Sequence, residues 1–359
     1  MDAAGAAGSL AADGVDTVLV GNRIDPLPSS GVDQEGYLEE SRAACPDDCA
    51  WAAALRAAGL AVYQTTATFF DPAALADFPD ARPVDAAGAV DRGFDWYLGV
   101  CPTHEGYLAA KIERLRRVVA DLQPDGLFLS FTRFPGFWEN WLPDYRFSAA
   151  DEFCFCDRCR ARFADDLGLD LPAGGVPDQA RFILERHRAA WTAWRCARLA
   201  GAVARIAAAL RADRPGLALM LNTLAFPATD FDGLDARREI AAQDLALLAA
   251  TVDRFELMTY LQILARGDAW LAPTVADVRR LVPDRPLLCT LQAAPLYTAG
   301  VHAGRGRAPD VTAADLDRAG RAALAAGATG LVFYHWTDFL ADEAAGGRKR
   351  AVLRGLAHA

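Results

Sequence analysis

The 359-residue sequence lacks the features that would export it or hold it in a bilayer. Its first residues, MDAAGAAGSLAADGVDTVLV, have no basic start and no long apolar stretch of the secretory kind. No apolar run is long enough to span a membrane. A cytoplasmic protein is therefore expected. Positive charge is also scarce. The net charge of −10 counts against a nucleic-acid binder, which would carry a basic face. It leaves room for a neutral or cationic small-molecule substrate. No glycine-rich phosphate loop follows the first apolar stretch, because Val20-Gly21-Asn22-Arg23 is not GxGxxG. This argues against a dinucleotide-binding doubly wound sheet. No internal repeat, low-complexity linker or domain boundary is visible. The eight cysteines could form four disulfides. In a chain of this size without an export signal, reduced cysteines with a metal site among them are the better reading.

What is present is a full complement of core-forming residues, 53% hydrophobic against 23% charged. Short apolar stretches recur near residues 17, 60, 94, 126, 217, 255, 287 and 330, and helical patterns ended by Gly or Pro separate most of them. Alternating short apolar strands and helices is the pattern of parallel βα units. Eight such units predict an α/β fold, a (β/α)8 TIM barrel, as one domain over residues 1–359. Loop insertions are expected at about 21–50, 71–93 and 134–176.

The most informative stretch is 125–166. An apolar strand over 126–131 leads into an aromatic-rich loop and then into Cys154, Cys156 and Cys159. C-x-C-x-x-C places three soft thiolate ligands within reach of one tetrahedral ion, for which zinc is the usual occupant. Cys101 is the best fourth ligand, ahead of His104, Asp157 and His187. Four protein ligands leave no open position, so a structural Zn2+ is expected. The fold class is then a barrel with a zinc-binding loop inserted after the fourth strand.

Cys101-Pro102 before a helix, and Cys154-Phe155-Cys156-x-x-Cys159-x-x-x-Phe163 after a strand, resemble the catalytic barrel of the family 42 glycoside hydrolases. Asn222-Thr223 with the 226–232 loop, Leu257-Met258-Thr259-Tyr260, and Phe333-Tyr334-His335-Trp336 are similar to elements of that family's fifth, sixth and eighth strands. The resemblance implies a β-galactosidase-like barrel with a zinc loop. It also implies two catalytic glutamates, and both expected positions depart from the family. Phe131-Thr132-Arg133 stands where the family has Asn-Glu, and Gln292 stands where it has its nucleophile. The family's trimer-forming domain is expected to be absent. The implied protein is a distant relative that hydrolyses a glycosidic bond by carboxylate acid/base chemistry. The alternative is a non-hydrolytic carbohydrate-binding barrel that has lost those glutamates. An isomerase or lyase using His335 or Tyr260 as base is a third reading.

A glycosidase needs two carboxyl groups beside the scissile bond. Glu139 sits among Phe134, Phe137, Trp138 and Trp141, and apolar walls suit a general acid. Asp230, with Asp232 beside it, follows the fifth strand, and Asp338 follows the eighth; their bland roles are turn formation and capping. Glu256, near the start of its strand, is expected at the wrong end of the barrel. Asn22, Trp96, Arg133, Trp138, Asn222, Tyr260, Gln292, His335 and Trp336 fall at or just past expected strand ends and are the candidate sugar-binding groups. For Arg133 the bland alternative is a structural salt bridge, and for His335 a rim histidine. The expected partner is a carbohydrate, with neither nucleic acid nor membrane, and a homo-oligomer is left open.

Overall fold

The structure, a computed structural model, describes residues 2–20, 47–95 and 97–358. Asn22 and Trp96 lie outside the described residues. Among those described, seven strands form one parallel sheet in chain order: β1 (Thr17–Val20), β2 (Ala61–Ala67), β3 (Gly126–Ser130), β4 (Ala218–Thr223), β5 (Arg254–Leu257), β6 (Leu287–Gln292) and β7 (Gly330–Tyr334). The longer helices are α1 (Ala3–Ala12), α2 (Asp48–Ala57), α3 (Glu105–Leu122), α4 (Asp157–Leu167), α5 (Val176–Arg186), α6 (Arg188–Asp213), α7 (Leu271–Leu281), α8 (Ala313–Ala325), α9 (Trp336–Ala344) and α10 (Lys349–Ala357).

The expected eight-strand count is not met among these residues. The stretch 94–100 is not a strand of the sheet. Phe94 and Tyr97 exchange backbone hydrogen bonds of 2.9 Å around a turn, with Asp95 in the left-handed region at φ 53°. Nor is there room for a strand there, because β2 pairs directly with β3, from Tyr63 opposite Gly126 to Ala67 opposite Ser130. The central strand is therefore third in the sheet, not fourth, and the cysteine loop follows the third strand.

Side chains alternate across the sheet with period two. Leu127, Leu129, Leu219, Leu221, Phe255 and Leu257 face the helices and join the main apolar core. On the inner face Tyr63, Phe128 and Met220 pack with Leu19, Ala218 and Leu288 into a separate apolar plug. Burial on both faces explains the nearly continuous apolar runs of the sequence. The edge strands β1 and β7 are held near one another by side chains. Asp13, fully buried at the end of α1, takes Arg350 at 2.7 Å and Arg354 at 2.6 Å from α10. Trp336, just after β7, packs on the cluster formed by α1, α2 and β1.

A further apolar cluster lies under the cysteines. Phe155 stacks on Trp191 at 4.8 Å, and Phe163 meets the same ring edge-on at 4.9 Å. The pair Trp191 and Trp194 on α6 thus seats the cysteine loop. Arg195, on the same helix, donates to the carbonyls of Phe153 and Glu239.

Candidate active site

A large cavity occupies the inner side of the sheet and reaches the C-terminal strand ends. Arg133, Trp138, Glu139, Asn222, Glu256, Tyr260, His302, His335 and Trp336 contribute to its lining. Glu139 is placed there by the loop that follows β3. Phe134 donates its backbone N–H to Ala241 (2.9 Å), and Trp138 and Trp141 anchor in the main core on either side of Glu139. The guanidinium of Arg307 donates to the Glu139 carbonyl. The Glu139 side chain is only 4% exposed, and burial pushes its carboxyl up to about 7, against the pull of Arg133 and Arg307.

The second carboxyl in the cavity is Glu256, which the sequence pattern had sent to the wrong end. β5 begins at Arg254, so Glu256 is not at its start; the ladder sets it opposite Asn222 on β4. The strand signal was there: Arg254, Glu256 and Met258 alternate with the core residues Phe255 and Leu257 and line the cavity. The Asn222 amide donates to Glu256 Oε2 at 2.5 Å, whereas Oε1 is buried without a partner among the described residues. Burial raises this carboxyl to about 8, with Asn222 opposing the shift. Tyr260 stacks on Trp138 at 5.6 Å and meets Tyr334 edge-on at 5.9 Å.

Arg133 is 2% exposed, and its Nε has no partner among the described residues. Its guanidinium lies 4.9 Å from the Phe131 ring and 5.8 Å from that of Tyr97. The salt bridge that would have made it purely structural is not found among the described residues. Such ring contacts contribute roughly 0.5–2 kcal/mol, less than the cost of burying an unpaired cation. Nearby, His302 Nε2 lies 3.0 Å from Asp95 Oδ2, while Nδ1 is buried and unpartnered. The two residues are 207 positions apart, so no local motif could have joined them.

Other candidates have different surroundings. Asp230 accepts from Trp270 Nε1 (2.9 Å) and pairs with Arg266 (3.3 Å). Asp232 is exposed beside Arg146. Asp338 accepts from the backbone of His335 and closes the capping box of α9. None of these three carboxylates is among the residues lining the cavity. Gln292 is occupied within the protein: its amide donates to Gln262 Oε1 and to the Ala294 carbonyl, both at 2.8 Å, and its oxygen accepts from Ile263 N. His335 and Trp336 line the cavity, but His335 Nδ1 is engaged by Thr337 and Trp336 lies under Arg350.

The four cysteines Cys101, Cys154, Cys156 and Cys159 are buried, and their Sγ atoms lie within 4.8 Å of one another. Cys101 is 3.6 Å from Cys159 and 3.9 Å from Cys156. Those separations match the ~3.8 Å edge of a tetrahedron of sulfurs about a metal at ~2.3 Å. The weaker fourth-ligand candidates are otherwise engaged: His104 caps α3 and bonds Asp80, and Asp157 is exposed beside Arg160. His187 separates α5 from α6. The donor set can hold a metal ion and leaves no position free for substrate.

The fold is similar to that of solved glycoside hydrolase domains. The glycoside hydrolase domain of PgaB (BpsB) from Bordetella bronchiseptica matches over 86% of this chain and 78% of its own, with a TM-score of 0.61 and 18% identity. A β-galactosidase from the psychrophilic Marinomonas ef1 matches over 93% of this chain at TM-score 0.63 and 15% identity, and a GH42 β-galactosidase from G. stearothermophilus over 93% at 0.57 and 14%. This chain spans about half the length of each of those two, 51% and 48%. At such identities the likeness is one of fold, and the structures that share it include a member of the family whose cysteine loop the sequence resembles. No protein-family model matches the sequence, and no curated protein does.

Proposed function

We propose that the protein is a carbohydrate-active barrel enzyme that hydrolyses a glycosidic bond, with Glu139 and Glu256 as its two working carboxyls. The observation that carries this reading is that two buried carboxyls from separate elements line one cavity that is walled by Trp138 and Tyr260. Glycoside hydrolysis needs one carboxyl to protonate the leaving oxygen and another, ionised, to act as base or nucleophile. The environments separate the roles. Arg133 and Arg307 favour the ionised form of Glu139, whereas at Glu256 the Asn222 amide, with no cation, opposes the effect of burial. Glu139 therefore loses its proton first. In the singly protonated state Glu256 donates the proton and Glu139 is the base or nucleophile, the reverse of the acid role expected for Glu139 from its sequence neighbours. Aromatic faces of Trp138 and Tyr260 would meet the C–H surface of the sugar, and Asn222 would hold Glu256 in register. Asp230 and Asp338 serve as structural anchors in this reading.

The metal in the cysteine site is proposed to be zinc, in a structural role, and the chain to form a single barrel unit. The test of the enzymatic reading is a panel of aryl glycosides assayed with Glu139→Gln, Glu256→Gln, Asp230→Asn and Asp338→Asn. Hydrolysis lost in the first two and retained in the last two supports it. Sugar binding without turnover in the unaltered protein would favour the non-hydrolytic barrel instead.

A further inference from the structure

Arg133 favours the ionised form of Glu139, but the hydrolytic reading gives its hydrogen-bond donors no partner. Its side chain is 2% exposed and lines the cavity together with Glu139. Two rings, Phe131 and Tyr97, flank the guanidinium. Glu139 attracts it electrostatically, but among the described residues no carboxylate forms an ion pair with it and no acceptor takes its Nε–H. A guanidinium is a planar fork of donors matched to an oxyanion, and Nε with its neighbouring nitrogen makes the bidentate edge. A second unpartnered nitrogen, His302 Nδ1, is buried in the lining of the same cavity. The Asp95 contact at its Nε2 leaves Nδ1 without a hydrogen-bond partner among the described residues. Burying a cation without a partner is costly, so such an arrangement is a site prepared for a ligand.

We infer that the cavity takes a sugar carrying an oxyanion, the carboxylate of a uronic acid or a sulfate ester, and that Arg133 binds that group. This rests on the carbohydrate reading and names its substrate class. The net charge of −10 does not draw anions toward the protein, so the preference is local, set by the donors inside the cavity.

The test is calorimetric titration of the full chain with matched monosaccharides: D-glucuronate and D-galacturonate for the carboxylate, glucose 6-sulfate for the sulfate, and D-glucose and D-galactose as neutral parents. At least one charged sugar is expected to bind about tenfold more tightly than its parent. The arm that responds identifies the oxyanion. Arg133→Gln should erase the difference, and Arg133→Lys, which keeps the charge without the fork, should retain only part of it. Equal binding of charged and neutral sugars, or a preference that survives Arg133→Gln, overturns the inference and leaves the carbohydrate reading standing. Binding of none of the five overturns both. Should Arg133→Gln fail to fold, the comparison of charged and neutral sugars on the unaltered protein still decides.

Discussion

Replacing Glu256 with Gln should alter how stability responds to pH in a defined direction. In the folded chain burial raises the Glu256 carboxyl from 4.5 to about 8. The folded state therefore holds this proton more tightly than the unfolded chain does. The resulting stabilisation is complete below the unfolded value of 4.5, falls as pH rises, and is gone above about 8. A shift of that size corresponds to roughly 5 kcal/mol, a loss of about 1.4 kcal/mol per pH unit across the window. Gln is a neutral isostere. Its oxygen can accept from Asn222, and its amide nitrogen takes the place of the unpartnered Oε1. The variant should match the unaltered protein near pH 5 and exceed it by several kcal/mol near pH 9. Glu139, raised to about 7 in both proteins, cancels in the comparison. The assay is urea unfolding of the two proteins at unit intervals across that range. Parallel curves would mean that Glu256 ionises as an ordinary exposed carboxyl does, and the proposed proton donor would be lost with it.

Activity should follow a narrow bell. It rises as Glu139 ionises near pH 7 and falls as Glu256 ionises near pH 8, and an optimum near pH 5 would refute the assigned roles. Glu139→Gln is expected to lower turnover by about 10²–10⁴-fold or more with the fold intact by circular dichroism. Metal analysis should find one zinc per chain; Cys156→Ser should lose it and unfold at lower temperature, and a folded, metal-free protein would contradict the cysteine site. Asp13→Ala, which removes the buried carboxylate that Arg350 and the half-exposed Arg354 share at the junction of α1 and α10, should cost roughly 1.5–3 kcal/mol in chemical unfolding, and a neutral effect would deny the junction its role.

Local signals carried far in this sequence. The alternation of short apolar strands with helices is a backbone pattern, and it located the seven strands of the sheet. C-x-C-x-x-C is a ligand set almost complete within six residues, so three metal ligands could be read directly, and Cys101 followed from its position before the next helix. Glu139 among aromatic residues announced its burial. What failed depended on contacts between distant segments. The stretch 94–100 is apolar enough for a strand, yet the direct pairing of β2 with β3 excludes it from the sheet, and only the ladder reveals that. Glu256 changed ends because a four-residue strand starts one position earlier than its apolar run suggests, and its partner Asn222 sits on the neighbouring strand. Asp230, Asp338 and Gln292 looked like free strand-end groups until Trp270, the α9 cap and Gln262 were seen to hold them. Composition and periodicity thus located the seven strands of the sheet, with one false addition, and showed where the thiolates gather. Which carboxyls share a cavity, and which arginine is left there without an acid, was decided by tertiary packing, because burial and the lack of a partner depend on every neighbouring segment at once.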